Sequence, residues 1–292
     1  MRWRVILLFV VMAVEGSAQE VDEATLIRFA VIGDYGKAGQ NAADVAEMVL
    51  SWEPDLIITT GDNNYNHGEA STIDENIGQY YHSYIYPYYG EYGEGADGEN
   101  RFFPSLGNHD WETDDAQAYF DYFTLPGNER YYEFVTGPVH FFALNGTYSE
   151  PDGINSQSVQ AAWLREGLAN STAAWQIVYM HMPPYSSGRQ GSNPVMQWDY
   201  KAWGADAVIS GHDHTYERIV IDGLPYFVNG TGGNGLYGFS TPVPGSEFRY
   251  NRNFGAMLVE ATEDYMTFEF YSVYEGGTLI DSYTIEAERV AG

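Results

Sequence analysis

Aspartate, asparagine and histidine stand where short hydrophobic runs stop: Asp34, Asp62, Asn108-His109-Asp110, His181 and His212-x-His214. In an α/β sheet ligands collect beyond the carboxyl ends of the strands, so these side chains have one place to converge. Taken singly, a Gly-Asp step is an ordinary turn and a lone histidine such as His181 an ordinary core residue. The group argues otherwise, because four of the seven histidines fall within these few motifs. Carboxylate oxygens with imidazole nitrogens suit first-row transition metals and would make an odd calcium site. So many ligands exceed one tetrahedral centre. A pair of metals sharing one carboxylate accounts for them, and ions about 3.5–4 Å apart clamp the attacking and leaving oxygens of an in-line displacement.

Six β-branched or aromatic runs must place these residues: 28–33, 55–61, 102–107, 140–145, 174–181 and 206–211, most ending in Gly, Asp, Asn or His. Between the first two, Ala42, Val45, Ala46, Val49 and Trp52 recur at helical spacing, which makes a βαβ unit. A second helix is expected over 159–168, with Ala161, Leu164 and Leu168 as its apolar stripe. The tail reads as successive antiparallel strands over 225–229, 256–261, 265–273 and 279–285, with turns at 262–264 and 275–277. The tyrosine-rich stretch 80–98 reads as a surface excursion packed by its own rings.

At the start, Arg2 and Arg4 precede an apolar run over 5–14 and small residues up to Ala18, the pattern of a signal peptide over 1–18. That run is shorter than the roughly 20 residues a spanning helix needs. The expectation is a single catalytic domain over 19–292, secreted or periplasmic after cleavage near Ala18, with no membrane span. With no cysteine, neither disulfides nor thiolate ligands are available. Thirteen Lys and Arg against 41 Asp and Glu leave a net charge of −28, which excludes a nucleic-acid-binding surface.

The motifs Gly33-Asp34-Tyr35-Gly36, Gly61-Asp62-Asn63-Asn64-Tyr65, Gly107-Asn108-His109-Asp110, Val178-Tyr179-Met180-His181 and Gly211-His212-Asp213-His214 occur in this order. Together they resemble the five motifs of purple acid phosphatases, within the calcineurin-like metallophosphoesterases. The resemblance spans residues 28–233 and implies an α/β fold, a four-layer α/β/β/α sandwich of the small single-domain type. It implies Asp34, Tyr65 and His214 on a first metal, Asn108, His181 and His212 on a second, and Asp62 bridging them. The pair implied is Fe(III) with a divalent ion, Fe, Zn or Mn, and Tyr65 is the phenolate that marks the purple branch. The reaction implied is attack of a metal-bound hydroxide on small-molecule phosphomonoesters, with His109 protonating the leaving group, Asp110 orienting His109, and Asn108 contacting substrate. A phosphodiesterase or nucleotide hydrolase on the same scaffold, or a secreted metal-binding protein without turnover, is the alternative.

One departure stands out. Many relatives carry a further histidine nine residues beyond His181, where this chain has Gln190; Arg189 beside it is a candidate phosphate ligand. His67 and His82 read as structural or surface residues. Asn229-Gly230-Thr231-Gly232-Gly233 reads as a tight turn near the site, and Asn145, Asn170 and Asn229 head glycosylation tripeptides.

Overall fold

The computed structural model describes residues 26–287, so the expected signal peptide and its cleavage point at Ala18 lie outside the described residues. Thirteen strands follow in chain order: β1 (Ile27–Ile32), β2 (Leu56–Thr59), β3 (Phe102–Pro104), β4 (Tyr132–Thr136), β5 (Val139–Ala143), β6 (Trp175–Tyr179), β7 (Ala207–Ser210), β8 (Tyr216–Ile221), β9 (Leu224–Asn229), β10 (Ser246–Tyr250), β11 (Gly255–Ala261), β12 (Tyr265–Ser272) and β13 (Thr278–Glu286). They form a six-stranded sheet in the order β13-β12-β11-β1-β2-β3 and a seven-stranded sheet in the order β10-β8-β9-β7-β6-β5-β4. Each sheet has a parallel part, β1-β2-β3 in one and β5-β6-β7-β9 in the other, with antiparallel strands added outside it.

The period of two along the strands explains the layering. Phe141, Ile177 and Ile209 face the first sheet, where Phe29 meets Phe141 edge-on at 4.9 Å and Phe268 stacks on Phe227 at 4.7 Å. Their neighbours Phe142, Val178, Met180 and Val208 point the other way, into a second apolar cluster with Ala161, Leu164 and Leu168 of the helix Val159–Asn170. Strands covered on both faces read as continuous hydrophobic runs, which is why the sequence shows runs rather than alternation here. The helix Gln40–Ser51 crosses from β1 to the parallel β2 and buries Ala42, Val45, Ala46, Met48 and Val49. With the inner face of the first sheet taken by the second sheet, this helix covers its outer face. The result is the expected four-layer α/β/β/α sandwich.

The tail departs from a plain antiparallel meander. β11, β12 and β13 are antiparallel and extend the first sheet beyond β1, as the turn signals implied. β9 belongs to the second sheet, parallel to β7 and antiparallel to β8. β4, β8 and β10 lie outside the runs expected to form strands. β10 alternates between half-exposed and exposed residues, so no hydrophobic run announces it. The tyrosine-rich excursion is pinned by Asp74, whose carboxylate accepts from the hydroxyls of Tyr88 and Tyr122 and from the Glu91 amide. His82 belongs to that excursion, with Nδ1 against the Glu94 carbonyl at 2.8 Å.

Candidate metal centre

The parallel strands of both sheets end at one place. Asp34 follows β1, Asp62 and Tyr65 follow β2, Asn108 and His109 follow β3, His181 follows β6, and His212 and His214 follow β7. Two sheets therefore contribute, the first two carboxylates, a phenol, an amide and the His109 ring, and the second three imidazoles. Three of these residues hold positive φ, Asp34 at 55°, Asp62 at 52° and His212 at 68°. Left-handed non-glycine backbone costs about 1–3 kcal/mol per residue, and it turns each chain sharply enough to aim the side chain back over the strand ends. The glycines beside them permit the crowding. A Cβ on Gly107 would lie 2.2 Å from Asp62 Oδ1, and Gly61, at φ 86°, would meet His181 Cβ at 2.8 Å.

The side chains gather in two groups. In the first, the Tyr65 hydroxyl lies 3.0 Å from Asp34 Oδ1 and 3.2 Å from His214 Nε2, which is itself 3.2 Å from Asp34 Oδ1. In the second, His181 Nε2 lies 3.1 Å from Asn108 Oδ1 and 3.1 Å from His212 Nδ1. Asp62 stands between them, its Oδ2 accepting from Tyr65 at 2.7 Å and its Oδ1 3.3 Å from His181 Nε2. Donor atoms of Asp34, Asp62 and His181, all buried, lie within 4.8 Å of one another. Every metal ligand implied by the motifs falls in one of these groups.

The electrostatics ask for a cation. His181 Nδ1 donates to the Thr60 carbonyl and His214 Nδ1 to the Gly235 carbonyl, so in both rings Nε2 is the nitrogen turned to the centre. Burial works against charge on these rings, yet Asp62 and Asp34 hold the His181 pKa above its usual value, and Asp34 does the same to His214. Burial likewise opposes the Asp34 carboxylate, and His214 with the other two imidazoles outweighs it, leaving the pKa low. His212 goes the other way from those two rings: burial and the adjacent His181 push it down to about 3, so the ring is neutral and has one nitrogen lone pair to offer. Burial, with Asp34 and Asp62 adding to it, raises the Tyr65 phenol well above 10, so its ionisation requires a positive ion in the pocket. Oxygen and nitrogen donors, converging lone pairs and a phenol that needs a cation fit a pair of transition metals.

Asp110 does not reach the His109 ring. Its carboxylate accepts from the amides of Asn63, Asn64 and Gly107 and from the Asn63 side chain, tying the second and third motif loops together. Burial and the nearby Asp62 push its pKa up to about 7 against those donors. The expected orienting role fails because this carboxyl is committed to backbone on the buried side, while the ring lies on the open side. There Nδ1 of His109 lies 2.6 Å from the Asn66 carbonyl and 3.1 Å from Glu112, a residue the motifs gave no reason to single out beyond its spacing of three.

Arg189 is exposed, with its guanidinium 5.6 Å over the Tyr237 ring, and Tyr237 stacks on His214 at 3.9 Å. Gln190 is exposed and lines a cleft of about 210 Å³ with Tyr148, Met182, Pro183, Pro194 and His212. The Asn229–Gly233 turn does pack on the site, since a Cβ on Gly230 would stand 2.7 Å from Asp34 Oδ2. Two of the glycosylation tripeptides are ruled out by this packing: Asn145 and Asn229 are fully buried, with Nδ2 donating to Glu150 and to the Val31 carbonyl. Asn170 is exposed.

Among relatives with known names, purple acid phosphatase 15 of Arabidopsis thaliana is 29% identical over 71% of this chain and 45% of its own length. Purple acid phosphatase 17 of the same plant is 26% identical over 85% of this chain and 81% of its own length. The chain thus spans less than half of the first relative and most of the second. Among solved structures, a purple acid phosphatase from yellow lupin seeds superposes with a TM-score of 0.75 at 20% identity, covering 90% of this chain and 54% of that one. GAP50, the anchor in the inner membrane complex of Plasmodium, superposes at 0.68 with 20% identity and 90% coverage of both chains. The fold is thus shared with a protein described as an anchor as well as with a phosphatase. The family description that matches residues 27–216, about two thirds of the sequence, is calcineurin-like phosphoesterase, and the chain belongs to that family.

Proposed function

We propose that the protein is a phosphomonoesterase working at a dinuclear centre, releasing inorganic phosphate from small-molecule esters. The observation that carries this is Asp62, placed so that one carboxylate oxygen meets each ligand group. Asp34, Tyr65 and His214 would hold the first ion, Fe(III), and Asn108, His181 and His212 a divalent Fe, Zn or Mn. When bound, the pair supplies Lewis acidity toward the phosphate oxygens and lowers the pKa of a coordinated water toward about 7.

The chain's own residues do the rest. Asn108 and His109 would face a bound ester, since both are partly open to solvent while Asp34, Asp62 and His181 are closed off. His109 stands on the Tyr65 ring at 4.6 Å, with Nε2 4.0 Å from Asp62 Oδ2, so a proton held there faces the reacting phosphate. Arg189 would approach the phosphate from the Tyr237 side. The related purple acid phosphatases support a phosphatase assignment, and the leader pattern supports an extracytoplasmic location. No described helix is long and apolar enough to cross a membrane.

The test is metal analysis and a visible spectrum on protein purified without chelator, with turnover of p-nitrophenyl phosphate compared against its bis-ester. Two metal equivalents, a tyrosinate band and monoester preference are expected. Preference for the bis-ester overturns the monoesterase assignment, and metal-loaded protein inert on both leaves a non-catalytic relative.

A further inference from the structure

Glu112 joins two histidines at the open edge of the centre. Its Oε1 lies 3.1 Å from His109 Nδ1 and its Oε2 2.5 Å from His67 Nδ1. His109 Nδ1 also lies 2.6 Å from the Asn66 carbonyl oxygen. A carbonyl oxygen only accepts, so Nδ1 carries hydrogen and donates to it, with the Glu112 carboxylate alongside. The other nitrogen, Nε2, is thereby turned inward, 4.0 Å from Asp62 Oδ2. The ring has no freedom to present Nδ1 instead, since a flip would set an apolar carbon against the carbonyl and the carboxylate. Glu112 and His67 are both substantially exposed, and exposed ion pairs contribute little to stability. Their arrangement is better explained by what it does to His109.

We propose that Glu112 is the positioning residue of His109, fixing Nε2 as the nitrogen that delivers a proton to the leaving oxygen, and that His67 holds Glu112 in place. The proposal rests on the phosphomonoesterase reading of the same centre. In the step, the oxygen of water bonds to phosphorus and the ester P–O bond breaks, its electron pair staying on the leaving oxygen. The Nε2 proton passes to that oxygen, the surplus proton of the water leaves to solvent, and the products are the alcohol and inorganic phosphate. After delivery the ring is the Nδ1–H tautomer, the form that the Asn66 carbonyl and Glu112 already select. Proton delivery counts most when the leaving group is a poor one, because an alkoxide must be protonated as it departs and a nitrophenolate need not be.

The experiment measures kcat and KM for wild type, Glu112→Gln, Glu112→Asp and His67→Ala, loaded with the same metals, on the phosphate monoesters of p-nitrophenol, phenol and glycerol. For Glu112→Gln the expected loss in kcat grows along that series, from about 3-fold to about 100-fold, within the range general acid catalysis contributes. KM stays near the wild-type value, Glu112→Asp recovers part of the loss, and His67→Ala follows the same trend more weakly. A second readout needs neither metal nor turnover. In metal-free protein labelled with ¹⁵N-histidine, the His109 Nδ1 proton should resonate far downfield and exchange slowly, and Glu112→Gln should shift it and speed its exchange. Equal losses on all three esters, or a proton resonance unmoved by the substitution, overturn the proposal alone. A wild type inert on every monoester removes the phosphomonoesterase reading and the proposal with it.

Discussion

The two halves of the centre are built unlike each other. Asp34, Tyr65 and His214 form the closed half: all three are buried, two can be anionic, and Tyr237 stacks over His214. Asn108, His181 and His212 form the more open half: its donors carry no anionic group, His181 is buried, and Asn108 and His212 are partly exposed, with His212 lining the cleft that Tyr148 and Gln190 share. Anionic oxygen donors out of reach of water suit a highly charged ion held permanently. Neutral donors beside a cleft suit a divalent ion that exchanges and meets substrate. Asp62 is the one side chain belonging to both halves, so its removal should be the most damaging. Asp62→Asn is expected to lower kcat/KM by about 10³-fold or more, roughly 4 kcal/mol of barrier, and to reduce both metals in elemental analysis. Retention of two equivalents in that variant would break the shared-carboxylate view.

Chelation separates the halves next. Dialysis against a chelator should strip the open half first, leaving about one equivalent of metal and little turnover, and a divalent ion should restore activity. Loss of both ions together would mean that the halves do not differ in access. Tyr65→Phe addresses the closed half alone. It keeps the ring that packs under His109 and removes the phenolate, so the visible band should vanish while the open-half ion is retained. A band that survives would place the charge-transfer donor on another tyrosine.

Part of the centre could be read in the sequence, because Asp34, Asp62, Asn108 and His212 each follow a glycine that ends a hydrophobic run. Asp34 and Asp62 are found in this way, and so are the parallel strands that deliver them. Less legible were contacts that depend on how separate loops meet. Asp110 looked like the partner of its neighbour His109, but adjacency in the chain put its carboxyl on the buried side, where four donors claim it. Glu112 and the Asn66 carbonyl do the orienting, and nothing in periodicity or composition separates that glutamate from the many others. Tyr237 reaches His214 from a loop with no motif of its own. β10 was invisible for a different reason: an edge strand open to solvent has no hydrophobic run to betray it.

The open half also makes the smallest and most specific prediction. The cleft beside His212 holds about 210 Å³ and is bounded by Met182, Pro183 and Pro194, with the Tyr148 ring 75% exposed at its mouth. A volume below the roughly 300–1,000 Å³ of a drug-sized pocket suits one planar ring. An exposed aromatic side chain gains about 0.5–1.5 kcal/mol from packing on another ring, beyond the area it covers. If the leaving group of the ester lies here, Tyr148→Ala should raise KM about 3- to 10-fold for an aryl phosphate and distinctly less for glycerol phosphate, by an amount that matches that energy. Gln190→His, which places an imidazole in the cleft that His212 lines, should act on kcat instead, because it adds a donor beside the open half without changing the ring platform. A Tyr148→Ala effect of equal size on both esters would move the leaving group out of this cleft and toward the Arg189 side.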